Sequence, residues 1–250
     1  MMAASLVLDL GNSRIKWAFA ENGLRDVHAR AYGEDFERTL DDMFDSLPRP
    51  ARALAVSVAE PARRDALARW LEGRWGLVLE RIVARAAQAG VTNSYLEPAR
   101  LGADRWAALI GARARSTGNL SVVDCGTAVT VDALDVQGTF RGGIILPGLA
   151  LMRSSLQQRA PGIRETDGED KTCLARRTAD AVAAGTLFGV AGAIDRIIDE
   201  QAAALGADLD VILTGGAAAQ ILPRLRHVAV HAPDLVLEGV ARIAADGAGA

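Results

Sequence analysis

The 250 residues are half apolar and 24% charged with 25 glycines, which excludes disordered, collagen-like and coiled-coil chains and leaves room for one large packed core or two smaller ones. The 28 basic against 31 acidic residues leave a net charge near -3, so neither nucleic acid nor an anionic membrane is an expected partner. No stretch approaches the ~18 apolar residues of a membrane span, and Asp9 interrupts the first apolar run too early for a secretory signal, so a cytoplasmic location is expected.

Short apolar strands alternate with longer amphipathic helices, an α/β pattern. Strands are predicted over 5–9 and 15–20 around the turn Gly11-Asn12-Ser13, then a helix over 36–47, a strand over 53–58, a helix over 62–73 and a strand over 77–83. A helix over 102–116 precedes a second strand pair at 121–124 and 130–134, a strand at 142–145 and a helix at 149–158. After a polar, charge-mixed loop over 159–173 the longest helix runs over 178–205, and a strand at 210–214, a helix at 217–222, a strand at 227–231 and a helix at 233–244 close the chain. The final residues, 246–250, are expected to fray.

The pattern apolar, apolar, Asp, any residue, Gly, then Asn or Thr and a return strand occurs twice, in LVLDLGNSRIKWAFA from Leu6 and in SVVDCGTAVTVDAL from Ser121. Its aspartates, Asp9 and Asp124, lie about half the chain apart, which implies two similar halves, 1–116 and 117–250, facing one cleft. A strand that delivers a carboxylate to a glycine turn sets it beside backbone N–H groups, an arrangement suited to phosphate and its bound cation. Gly11 allows close approach, Asn12 and Ser13 add neutral donors, and Lys16, one of only two lysines in the chain, can reach a terminal phosphate. In the second turn Thr127 can contact phosphate while Asp124 holds a cation; a third turn, Thr214-Gly215-Gly216, follows an apolar strand and opens a helix. Each turn taken alone is equally an ordinary β-turn, and neither the P-loop nor the dinucleotide-binding glycine motif is present. Two acidic turns facing one another would repel unless cations and phosphate lay between them. Cys125 and Cys173 have no motif spacing, which leaves no disulfide framework or metal cage.

DLGNSRIK, Leu101-Gly102-Ala103-Asp104-Arg105-Trp106, DCGTAVT, GGIILPG from Gly142 and TGG follow one another in order, with Tyr95 upstream of the second. That series resembles the superfamily of acetate and sugar kinases, heat-shock ATPases and actin, and within it the type III pantothenate kinases. The resemblance implies two actin-like (ribonuclease H-like) halves, each a mixed sheet flanked by helices, with the active-site cleft between them. It implies ATP-dependent phosphorylation of pantothenate, the first step of coenzyme A synthesis, by a homodimer. It assigns ATP phosphates to Asp9, Leu10, Gly11, Asn12, Ser13, Arg14, Ile15, Lys16 and Thr127, with Gly215 and Gly216 as a floor for the nucleotide. Mg²⁺ accompanies ATP, with Asp9 able to meet it through phosphate or water, and Asp124 binds a monovalent cation, K⁺ or NH₄⁺. Pantothenate falls to Tyr95, Gly102, Ala103, Asp104 and Arg105, with Asp104 as proton acceptor, and to Thr178 across the dimer interface.

The residues leave other readings open. Asp104 lies in a first helical turn, where the macrodipole favours an acid regardless of chemistry. Arg105 is either a fork for the carboxylate of a small acid or a solvated helix arginine. Thr178 is also a good helix N-cap. Gly185, Gly189 and Gly192 share one helix face, which suits either internal packing or a dimer seam. His227 and His231 lie four apart on a strand pattern and receive no role, and the four tryptophans belong to core or partly buried positions. Rival functions are a non-catalytic relative acting as an accessory factor in transcription, and a kinase for another small hydroxylated substrate; intact Asp9, Lys16, Asp104 and Asp124 argue against the first.

Overall fold

Short apolar runs in SLVLDL and RIKWAFA form β1 (Ser5–Leu10) and β2 (Arg14–Ala20), an antiparallel pair with Asp9 opposite Lys16 and Leu10 opposite Ile15. In a computed structural model that describes residues 4–33, 35–166 and 168–247, Leu6, Leu8, Leu10, Ile15 and Trp17 share one buried cluster, and Asp9 is turned to the opposite face by the period of two. β3 (Leu24–Ala31) pairs antiparallel with β2, β4 (Arg52–Ser57) runs parallel to β1, and β5 (Leu79–Arg81) runs parallel to β4, giving the order β3-β2-β1-β4-β5. Two helices cover the leucine face through Leu40, Phe44, Leu67 and Leu71. These are α1 (Phe36–Phe44), capped by the Asp35 carboxylate accepting from the Arg38 N–H, and α2 (Pro61–Trp75), which starts on proline and ends at Gly76 with φ 64°.

β3 was not predicted: seven of its eight residues are exposed, and the alternation in Val27-His28-Ala29-Arg30-Ala31 is carried by one valine and two alanines, too little apolar surface to mark a buried face. Its existence rests on pairing with β2, including the stack of His28 on Trp17 with ring centroids 5.2 Å apart. A short hairpin, β6 (Ala87–Gln88) and β7 (Val91–Asn93), and a 3-10 turn at Pro98–Arg100 lead into α3 (Ala103–Arg115). The fully buried Trp106 donates its indole N–H to Gln88 at 3.3 Å, tying that helix to the hairpin.

The second acidic motif repeats the plan. β8 (Leu120–Cys125) pairs antiparallel with β9 (Ala128–Leu134), which pairs antiparallel with β10 (Thr139–Pro147). α4 (Leu149–Arg159) and α5 (Thr178–Leu205) follow, then β11 (Asp210–Thr214), α6 (Ala218–Ile221) and β12 (Ala229–His231). β11 is parallel to β8 and β12 to β11, so β10, β9, β8, β11 and β12 are neighbours in that order, the same succession of antiparallel and parallel pairs as in the first sheet. The internal repeat is therefore one of topology as well as sequence, and in each copy the acid is the penultimate residue of the first strand.

The chain forms two units, one running to Ser116 and resuming at Asp234, the other Thr117–Pro233. The expected second half, 117–250, thus loses its last helix, α7 (Leu235–Asp246), to the first unit. The cause is a close helix crossing: a Cβ at Gly239 would run into the Ala107 backbone and one at Gly111 into the Leu235 carbonyl, and the Arg115 guanidinium forks onto Glu238 with both bonds at 2.6 Å.

In the second unit the buried side of α5, including Leu187, Val190, Ile194 and Ile198, packs with Val123, Val131 and Leu213. By length and composition α5 could cross a membrane; here more than half of its most apolar stretch is buried inside the protein. Gly185, Gly189 and Gly192 lie on its exposed side with nothing within 4 Å of an added Cβ, so the internal-packing reading of that stripe does not hold. The N-cap position belongs to Arg177, and Thr178 is the exposed first helical residue making no side-chain cap, so capping does not account for Thr178. His227 pairs with Asp199 at 2.9 Å, beside the buried Asp195 that accepts from the Arg226 N–H at 3.1 Å.

Candidate functional site

In the first unit Asp9 and Lys16 are directly opposed on neighbouring strands, and Arg14, two residues earlier, shares the side of β2 that Lys16 takes. The Lys16 ammonium lies 3.6 Å from the Asp234 carboxylate, a partner 218 residues away. Burial, and next the charge of Asp104, push the Asp9 carboxyl up from 3.8 to about 7, while Lys16 and Arg14 pull it down. The Asp9 carboxyl thus lies within electrostatic reach of Asp104, Lys16 and Arg14. Between the strands the turn closes through the Gly11 N–H on the Arg14 carbonyl at 3.0 Å, leaving Asn12 and Ser13 exposed. Leu10 and Ile15 are fully buried in the core, so only their main chains can meet a ligand.

The start of α3 gathers the second group of predicted residues. Gly102 occupies the N-cap, where an added Cβ would crowd the Asp104 carboxylate at 2.6 Å, and Ala103 begins the helix. Asp104 accepts from the Arg105 N–H at 2.8 Å. Arg105 is not a solvated helix arginine: it is only 6% exposed, donates to the Tyr95 hydroxyl at 3.0 Å and lies 5.7 Å from that ring. The Tyr95 N–H in turn bonds the Asn93 side chain at 3.0 Å, so β7 positions the tyrosine. A buried guanidinium joined to a phenol beside a carboxylate can bind an acidic, hydroxylated small molecule and take up a proton.

In the second unit the turn after β8 is built by glycine contacts. The Gly148 N–H bonds the Thr127 carbonyl at 2.9 Å and the Gly126 N–H bonds the Ala128 carbonyl at 3.1 Å, while Thr127 itself is exposed. Gly215 has φ 92° and stands against the Asp124 carboxylate and the Cys125 backbone; the next residue, Gly216, is exposed. Burial, followed by Asp124, pushes the Cys125 thiol up to about 12, so it is an inert core group. Gly215→Ala places a side chain in a conformation L-residues avoid and against the Asp124 turn, a loss of about 3 kcal/mol. Calorimetry should find melting lower by about 6–12 °C.

The structure thus brings together Asp9, Arg14, Lys16 and Asp104, joins Tyr95 to Arg105, and sets Gly215 on Asp124. Thr178 belongs to the second unit and is exposed. Sequence reasoning missed Asp234, Tyr32 and Arg63. Tyr32, one of only two tyrosines, donates to the Gly11 carbonyl at 2.8 Å, and Arg63 donates to the Asn12 carbonyl at 3.2 Å. No local pattern marks these three, because each meets the site through a long-range contact.

Among proteins of known family, one from Nitrosococcus oceani is 38% identical over 96% of this chain and 94% of its own, and one from Alkalilimnicola ehrlichii is 40% identical over 96% and 97%; both are named type III pantothenate kinase. Residues 5–200 match the sequence profile of the same family. The chain belongs to the type III pantothenate kinases. It is accordingly a kinase enzyme of coenzyme A biosynthesis that uses ATP to phosphorylate pantothenate. Solved structures agree on the fold. A Campylobacter jejuni protein named for the Baf family of transcriptional activators superposes with a TM-score of 0.63 at 19% identity, covering 98% of this chain and 100% of its own. MreB 5 of Spiroplasma citri bound to AMPPNP does so with a TM-score of 0.50 at 10% identity, covering 96% and 95%. At those identities they bear on architecture alone, that of the actin-like ATPases and sugar kinases.

Proposed function

We propose that Asp104 accepts the proton of the pantothenate primary hydroxyl as that oxygen attacks the γ-phosphorus of ATP. Phosphoryl transfer asks little covalent work of a protein: an in-line hydroxyl, neutralised phosphates and one proton acceptor. The observation that carries the reading is the Asp104 carboxylate at the head of α3, near enough to Asp9 to raise its pKa and one residue from a buried arginine. Tyr95, Gly102, Ala103 and Arg105 hold pantothenate, with the Arg105 guanidinium suited to its carboxylate. Main-chain N–H groups of the turn from Asp9 to Lys16 and the Lys16 ammonium hold phosphates, and Thr127, Gly215 and Gly216 serve the nucleotide.

Mg²⁺ fits as a companion of ATP and not as an ion in a cage of its own: among the described residues no three His, Cys, Asp or Glu groups converge, whereas one raised carboxyl, Asp9, stands by the phosphate turn. When bound it neutralises phosphate charge. Asp124, a single carboxylate in a turn of main-chain groups, suits a monovalent cation, K⁺ or NH₄⁺. The enzyme works in the cytoplasm as a homodimer in which Thr178 reaches the partner's pantothenate; the uncovered glycine face of α5 supports such a pairing.

ADP formation, coupled to an optical readout, tests this. ADP should appear with pantothenate and not with glucose or N-acetylglucosamine, which separates the reading from a non-catalytic relative and from a sugar kinase. Exchange of K⁺ for tetramethylammonium should suppress the rate at least about tenfold; an unchanged rate removes Asp124 from its cation role.

A further inference from the structure

The turn between β1 and β2 is held from behind by two residues outside the family motif. The Tyr32 hydroxyl donates to the Gly11 carbonyl at 2.8 Å, and the Arg63 guanidinium donates to the Asn12 carbonyl at 3.2 Å while stacking 4.5 Å from the centre of the Tyr32 ring. The Tyr32 N–H also bonds the Ser13 carbonyl at 3.3 Å. Three successive carbonyls, those of Gly11, Asn12 and Ser13, are thus taken by one tyrosine and one arginine.

A trans peptide is planar, with its C=O and the following N–H pointing in opposite directions. No cis bond occurs among the described residues. Fixing the Gly11 carbonyl therefore aims the Asn12 N–H away from Tyr32, and fixing the Asn12 carbonyl aims the Ser13 N–H away from Arg63. Neither of those N–H groups has a hydrogen-bond acceptor among the described residues, although the turn is well packed beneath. Backbone donors held ready and unspent form an anion-binding concavity, and their value lies in needing no reorganisation when phosphate arrives. Burial, and then the nearby Asp9, hold the Tyr32 phenol above its ordinary value, so it remains a hydrogen-bond donor at every physiological pH.

We propose that Tyr32 and Arg63 are positioning residues for ATP: together they lock the peptide planes of the Gly11–Ser13 turn so that its free amides face the phosphates. Neither residue touches the reacting atoms in this account. The inference rests on the reading that this turn holds ATP phosphates.

The test is steady-state kinetics on the whole enzyme with each substrate varied in turn. Tyr32→Phe, which keeps the ring, and Arg63→Ala should each raise KM for ATP about fivefold, leave KM for pantothenate within about twofold, and melt within a few degrees of the parent. Arg63→Lys, which retains a donor, should recover part of the loss. The double variant should fall short of the product of the two single effects, because both act on one turn. Unchanged KM for ATP in both single variants, or equal rises for both substrates, overturns the proposal. Lys16→Ala run alongside shows which idea has failed. If it raises KM for ATP while Tyr32→Phe does not, only the positioning role falls; if it too leaves KM for ATP unchanged, the phosphate role of the turn falls with it.

Discussion

Asp104→Asn should leave a normally folded protein whose kcat is lower by about a thousandfold or more, the range spanned when a general base is removed from a positioned site. Asparagine has the same shape and keeps an oxygen to accept the Arg105 N–H, a bond of 2.8 Å that helps fix the first turn of α3. It cannot take a proton from an alcohol. The KM for pantothenate should change little, since Arg105 and Tyr95 remain joined. The same substitution has a second consequence that does not depend on turnover. The Asp104 charge is one reason the Asp9 carboxyl stands near 7, so removing it should lower the Asp9 titration, visible by carboxyl NMR. Retention of most of the parent rate would sink the assignment of the base.

Asp9→Asn is expected to make the ligand-free protein more stable and the enzyme nearly inactive. The Asp9 carboxyl titrates at about 7 in the fold against 3.8 ordinarily, so between those values the folded state carries a proton that the unfolded chain has lost. Stability of the parent therefore falls as pH rises from about 4 to about 7 and is level beyond, and the asparagine variant is free of that fall. At pH 8 the variant should gain on the order of 4 kcal/mol, with the gain shrinking to nothing near pH 4. Denaturant titrations across that range check the slope. Activity should drop at least about a hundredfold, because the role proposed for Asp9 beside the cation-bearing phosphate requires an ionised carboxylate, which asparagine cannot supply. A variant that is neither stabilised at pH 8 nor impaired in turnover would contradict both halves of the expectation.

The sequence alone carried the fold class, the repeat and the site's vocabulary, because those depend on local pattern. Short apolar runs define β1, β2, β8 and β9; the acid before a glycine turn recurs at Asp9 and Asp124; and Gly102 to Arg105 open a helix as read. Tertiary structure alone decided which groups meet. β3 is exposed along seven of its eight residues and exists through its partner strand, so its weak apolar pattern did not announce it. α7 joins α3 because two glycines permit their backbones to touch, a fit between surfaces more than a hundred residues apart in the chain. Separation along the chain, 218 residues for Lys16 and Asp234, 51 for Arg63 and Asn12 and 21 for Tyr32 and Gly11, hid those contacts, and the local pattern allowed Arg105 to be solvated as readily as buried. Side chains acquire charge states and partners from neighbours that only chain folding supplies, which is why Asp9 is legible as an acid in the sequence and as a carboxyl near neutrality only in the fold.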